Sequence, residues 1–168
     1  MSDRLDLKAS IGVDDSGALT GLAWPFGTPD RTGDMIQPGA FKGVVLPIPM
    51  LFGHDQNDPV GVWTDAVEAV DGLRLKGRLL VDDVARAREV RALVRSGAAK
   101  GLSIGFVTRK AAARAGGGRT ITALDLVEVS IVTVPMHPGA RVTSAKSAAS
   151  AHALAAAIRQ AMAAIKGA

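Results

Sequence analysis

The sequence predicts a mainly β protein, with short strands closing into a barrel or sandwich, one central helix and a helical tail. Apolar and polar residues alternate with period two through most of the chain before Val81. The period turns helical between Asp83 and Ser96, and β-branched residues crowd Thr120–Val134. Strands and helices do not alternate as they would in a doubly wound sheet.

Leu5, Leu7, Ala9, Ile11 and Val13 alternate with polar residues as in a strand, and Asp14-Asp15-Ser16-Gly17 is a turn. Leu19–Phe26 is a second strand. Pro25–Gly43 is a long loop punctuated by Gly and Pro, of a length more often functional than idle. Val44–Phe52 is apolar but broken by Pro47 and Pro49, so it is expected at a sheet edge or with a bulge. Val60–Val70 and Leu73–Val81 bracket Asp71-Gly72, a hairpin signal. In the helical segment Val84, Ala87, Val90, Leu93 and Val94 form the apolar stripe. Asp82 or Asp83 is the expected N-cap and Gly97 the C-terminal stop. Arg86, Arg88, Arg91 and Arg95 form a face expected to be solvated. Leu102–Thr108 returns to strand, Arg109–Arg119 reads as a basic, mobile, glycine-rich loop, and Pro135–Gly139 is a rigid turn. Two units result, 1–143 and an alanine-rich tail, 144–168. In the tail Leu154, Ile158, Met162 and Ile165 make one helical stripe. That helix needs a partner surface, either its own barrel or another molecule.

Composition narrows the function. The chain has 168 residues, 48% hydrophobic and 21% charged, the balance of a folded globular protein. It has no cysteine, which excludes disulfides, thiolate metal sites and a cysteine nucleophile. Its 20 Lys and Arg against 16 Asp and Glu leave +4, and aromatic residues make up 4%. Both are too little for a nucleic-acid surface. The N-terminus lacks the apolar run of a signal peptide, and Val44–Gly53 is too short and proline-broken to span a bilayer. No cofactor or metal motif is present, and the triple glycine Gly116–Gly118 lacks the Lys-Ser/Thr of a phosphate loop. The expectation is a cytosolic protein without nucleic-acid or membrane partners.

Three places can carry chemistry. His54 ends an apolar strand in Phe52-Gly53-His54-Asp55. Ser103 sits in Gly101-Leu102-Ser103-Ile104-Gly105, a G-x-S-x-G pattern, but with a helix before it and a strand after it, the reverse of a nucleophile elbow. Asp125 and Glu128 lie in an apolar strand run on opposite faces, with Leu126, Glu128 and Ser130 on one face. A carboxylate half-buried there needs a partner such as a histidine. Taken singly, His54 is more readily a surface-loop histidine and Ser103 the one polar position of a strand whose two glycines allow close packing, while the acids also fit an edge strand with a solvated face.

Taken in order, these segments resemble the prohead (capsid maturation) proteases of HK97-type phages, themselves similar in fold to the herpesvirus assemblins. The resemblance runs from about Thr20 to Val142. It includes Gly21-Leu22-Ala23, Pro38-Gly39-Ala40-Phe41, Phe52-Gly53-His54-Asp55, Gly101–Phe106 and the Leu126–Ala140 block. It implies an assemblin-like barrel and a serine endopeptidase with His54 as general base, Ser103 as nucleophile and Glu128 as third member, with Asp125 as the fallback. It implies a major capsid protein with its scaffolding segment as substrate, self-cleavage, possible self-association, and action inside an immature capsid of a phage, prophage or domesticated particle. Met136-His137-Pro138 departs from the family's frequent Ala-Asn-Pro. The Pro135–Arg141 turn is the expected source of oxyanion donors. Two rivals stand beside this reading: an esterase-like hydrolase using Ser103, Asp125 and His137, and a non-enzymatic capsid assembly module. His152, in the tail, is a poor base for either enzyme.

Overall fold

The computed structural model describes residues 13–143. Except for Val13, the strand expected over Leu5–Val13 lies outside these residues, as does the tail helix expected over Ser144–Ala168. Eight strands and one helix follow in the order β1 (Ala18–Pro25), β2 (Met35–Ile36), β3 (Ile48–Phe52), β4 (Pro59–Ala69), β5 (Gly72–Leu79), α1 (Ala85–Ser96), β6 (Gly101–Ala113), β7 (Arg119–Val132) and β8 (Arg141–Thr143).

The sheet runs β7-β3-β4-β5-β1-β8-β6, and β6 pairs back onto β7, so seven strands close into a barrel. Closure removes the exposed edges that an open sheet would have to protect. The two-residue β2 pairs in parallel with the start of β7 (Met35 with Thr120, Ile36 with Ile121). Period-two strands turn one face inward, and Leu19, Ile48, Met50, Trp63, Leu73, Leu75, Leu102 and Ile131 fill the interior. Trp63 is fully buried, and its Nε1–H donates to the Val129 carbonyl at 3.0 Å, tying β4 to β7 across the core. The barrel class read from the periodicity is the observed one.

Several local expectations are corrected or refined. β3 is not an edge strand but lies between β4 and β7. Its prolines are tolerated because pairing with β7 begins only at Met50, beyond Pro49, and the expected bulge falls against β4 between Met50 and Leu51. The helix is not capped by Asp82 or Asp83. Val84 is the N-cap and makes no side-chain cap bond, while Gly97 ends the helix in the left-handed region at φ 78°. The helix arginines form the exposed to half-buried face expected of them, and three are also tethered: Arg88 reaches the Val81 carbonyl (3.0 Å), Arg91 the Asp15 carbonyl (2.6 Å) and Arg95 the Asp15 carboxylate (2.8 Å). Residues 109–113 and 119 are strand, so the basic loop shrinks to the turn between β6 and β7. On the β6 arm residues 109–113 are all exposed, so that arm carries no alternation to read, while the β7 arm opposite buries Ile121 and Leu124.

The long loop between β1 and β3 is held rather than loose. Asp34 takes Arg119, with N–H to Oδ1 at 2.8 Å and Nε to Oδ2 at 3.1 Å. The Arg119 guanidinium holds the Asp34 carboxyl below its usual range. Glu68 accepts the Phe41 N–H at 2.8 Å, which fixes the Pro38–Phe41 segment. No helix among the described residues is long and apolar enough to cross a membrane.

Candidate active site

Three adjacent strands, β3, β7 and β6, carry the candidate residues. β3 runs parallel to β7, with Leu51 beside Ser130 and Phe52 beside Ile131. His54 lies just past the end of β3. β6 runs antiparallel to β7, placing Ser103 opposite Ser130 and Gly105 opposite Glu128. Directly opposed residues of an antiparallel pair point to the same face. Ser103, Ser130 and Glu128 therefore share the face away from Leu102 and Ile131, which fill the core.

His54 turns back over β7. Gly53 and His54 both have positive φ, 65° and 64°. The Gly53 N–H donates to the Ile131 carbonyl at 3.0 Å, and the His54 N–H donates to Ser130 Oγ at 3.1 Å. The imidazole then meets Glu128, with Nδ1 2.6 Å from Oε1. Because a carboxylate only accepts, Nδ1 carries the proton and Nε2 keeps a free lone pair. Ser130 donates to the other carboxylate oxygen, Oε2, at 2.7 Å. The side chains of Glu128 and His54 are 10% and 44% exposed, so the acid is sheltered while the imidazole meets solvent.

Room for the carboxylate comes from Gly105. A Cβ there would lie 2.9 Å from both Cδ and Cγ of Glu128, and nearer still to Oε1. Glu128 is thus what the second glycine of the Gly101–Gly105 pattern packs against.

The His54 loop is braced from the helix. Arg86 Nε donates to Asp58 Oδ2 at 3.1 Å, and its guanidinium lies 4.9 Å from the centre of the Phe52 ring. Within the loop the Asp58 N–H donates to the Asp55 carbonyl at 3.0 Å.

Ser103 is 6% exposed and makes no side-chain hydrogen bond among the described residues, to His54 or otherwise. It borders a small cavity of about 30 Å³ that Trp24, Phe106, Met136 and His137 also line. A larger, mostly apolar cleft of about 320 Å³ opens on the Glu128 side, between Pro49, Leu51, Pro59 and Val127.

The residues of the rival hydrolase are spent elsewhere. Asp125 pairs with exposed Arg109, Nε to Oδ2 at 2.6 Å. His137 is buried, its Nε2 3.1 Å from the Thr28 carbonyl and its Nδ1 accepting the Gly139 N–H at 3.1 Å. It also packs edge-on against Trp24. With both nitrogens bonded to the backbone, its ring is a structural pin. The Pro135–Arg141 turn flanks the Ser103 cavity through Met136 and His137. Two of the oxyanion donors expected from it are already used, because the Gly139 and Ala140 N–H groups both bond to His137. No cluster of three or more His, Asp or Glu able to hold a metal occurs among the described residues.

The chain is 33% identical over 142 residues to the capsid polyprotein of Pseudomonas phage PAJU2, covering 80% of this chain and 21% of that protein. It is 30% identical over 152 residues to the prohead protease of Enterobacteria phage HK97, covering 86% of this chain and 67% of that one. It thus spans about a fifth of the first relative and two thirds of the second. Among solved structures, a complex of KSHV protease with a hexapeptide phosphonate inhibitor superposes with a TM-score of 0.47 at 12% identity, over 74% of this chain and 63% of that one. Residues 4–154 match the family profile of the caudovirus prohead serine protease. That span takes in the whole barrel and all three candidate residues, and the chain belongs to this family of capsid-maturation proteases.

Proposed function

We propose that this protein is a serine endopeptidase that cleaves the scaffolding segment of a phage-type major capsid protein, with Ser103 as nucleophile, His54 as general base and Glu128 as the orienting acid. The hydrogen bond from His54 Nδ1 to Glu128 Oε1, one strand away from Ser103, carries this reading. Ser103 Oγ attacks the scissile carbonyl as His54 Nε2 takes its proton. The imidazolium that forms is stabilised by Glu128. It then protonates the leaving amine, and water, deprotonated by His54, releases the acyl group. The apo contact between serine and base need not be tight, since such bonds often close only in the substrate complex.

A similar segment forms a fifth of a protein named capsid polyprotein, which supports a capsid protein as substrate and cleavage within the same chain as an additional activity. The enclosed action inside an immature shell follows from the same reading. The apolar cleft beside Glu128 offers an extended substrate a surface next to the reacting atoms.

Co-expression with a phage-type major capsid protein that carries its scaffolding segment tests the proposal. Ser103→Ala and His54→Ala should each abolish trimming, and the double variant should be no worse than either, because nucleophile and base act as one unit. A Ser103→Ala protein that still trims at the wild-type rate would remove Ser103 from the mechanism.

A further inference from the structure

We infer that Ser130 is a positioning residue of this site, its single hydroxyl holding the Glu128 carboxylate and the His54 backbone in one network. The inference rests on the acyl-transfer reading above and adds a residue to which that reading gives no part.

Ser130 is fully buried in a strand segment, Val129–Val132, that is otherwise apolar. A buried hydroxyl is unfavourable unless it is bonded, and this one is bonded twice. Its proton goes to Glu128 Oε2 at 2.7 Å, and its oxygen accepts the His54 N–H at 3.1 Å. The other carboxylate oxygen receives His54 Nδ1 at 2.6 Å. A closed ring results, running from the His54 backbone through Ser130 and Glu128 to the His54 side chain.

The ring answers a conformational need. Among the described residues His54 is the only one other than glycine with positive φ. A residue with a Cβ disfavours that region and stays there only when its surroundings hold it. The bond to Ser130 Oγ is what the His54 N–H gains there. Without the hydroxyl, the backbone loses its acceptor and the carboxylate loses the donor that fixes its rotamer. The imidazole then loses the fixed orientation that its bond to Glu128 gives it, while the barrel stays closed.

Ser130 is not itself the nucleophile. It is shut off from solvent and its proton is committed to a carboxylate. Ser103, directly opposite on β6, is also buried but borders a small cavity and makes no side-chain bond among the described residues. A packing role alone would be met equally well by alanine.

The test uses a fluorophosphonate probe, which reacts with an activated serine whatever the peptide substrate. The full chain is labelled, the modified serine is located by mass spectrometry, and kinact and KI are measured separately beside a thermal melt. Wild type should be labelled on Ser103. Ser130→Ala should lower kinact by about ten-fold or more, the scale of one hydrogen bond to a charged group, with KI unchanged. Ser130→Thr, which keeps the hydroxyl, should return kinact to within about three-fold of wild type, a rescue that a packing role does not predict. Folded Ser130→Ala with wild-type kinact, or folded Ser130→Thr no better than alanine, overturns the positioning role. If the alanine variant does not fold, near-isosteric Ser130→Cys takes its place, and a wild-type kinact there overturns it equally. Label on Ser130 overturns it too, whereas absence of label on wild-type Ser103 overturns the acyl-transfer reading beneath it.

Discussion

Replacing Gly105 by alanine tests the site without touching any of its polar atoms. Gly105 lies opposite Glu128 in the β6–β7 register, in extended backbone open to any residue. Alanine there should even gain roughly 0.5–1 kcal/mol of intrinsic stability, since glycine in a strand interior is the entropically costly choice. The new methyl, however, would stand 2.9 Å from Glu128 Cδ and Cγ, where ordinary contact begins at 3.4 Å. Because Oε1 stands nearer still, the carboxylate must retreat by more than about 0.5 Å or change rotamer. Its bonds to His54 at 2.6 Å and to Ser130 at 2.7 Å cannot both survive that shift. Losing one hydrogen bond to a charged group is worth about 1.5–3 kcal/mol, or about 10–100-fold in rate. Losing the orienting acid altogether sets a ceiling of about 10⁴ in kcat. We expect Gly105→Ala to fall between those limits, with a melting temperature at or near that of wild type. The assay is the rate of Ser103 phosphonylation, with Glu128→Gln as the reference variant. Because both changes strike one bond, the double variant should be no slower than the slower single one. A Gly105→Ala protein reacting within about three-fold of wild type would show that the carboxylate's seat over this glycine does not matter to the chemistry.

His137→Ala should lower the melting temperature, since it removes a buried ring bonded at both nitrogens. It should leave labelling of Ser103 largely intact at temperatures where the protein is folded, as should Asp125→Asn; a folded but unreactive His137→Ala would restore the Ser-Asp-His rival. Arg119 holds the Asp34 carboxyl below its ordinary pKa, so the pair's stabilisation is complete above the unfolded value of about 3.9 and is lost as pH falls through the folded one. Asp34→Asn should therefore melt lower than wild type at pH 7, with the gap closing as pH drops from about 5 to 2; a gap constant over that range would refute this account.

The sequence shows the barrel and hides how its strands are neighboured. Period-two patterning betrays β1, β4 and β5 because each has one face in the core, and Asp71-Gly72 marks the hairpin between the latter two. The same logic fails where that one-sided burial ends. The outer part of β6, residues 109–113, is exposed on both faces, so it reads as loop, and the prolines of β3 suggest an edge although pairing with β7 starts just beyond them. The site is hidden in the same way. His54 meets Glu128 through the parallel pairing of β3 with β7, a contact between distant parts of the chain that no local spacing encodes, and Ser103 lies on the next strand, β6. Only the resemblance to prohead proteases singles those three out. What is local remains readable. Residues 128 and 130 fall on one strand face by simple alternation, so an acid and a serine were already placed side by side, and Gly105 was marked as a close approach. An acid in an apolar strand is otherwise a liability, and here each of its requirements is met from elsewhere: a proton from a neighbouring loop, a second from its own strand, and space from the glycine across the ladder. That convergence on one carboxylate separates a built site from a solvated edge residue. It also explains why Asp125, three residues away on the opposite face and paired only with an exposed arginine, has no comparable claim.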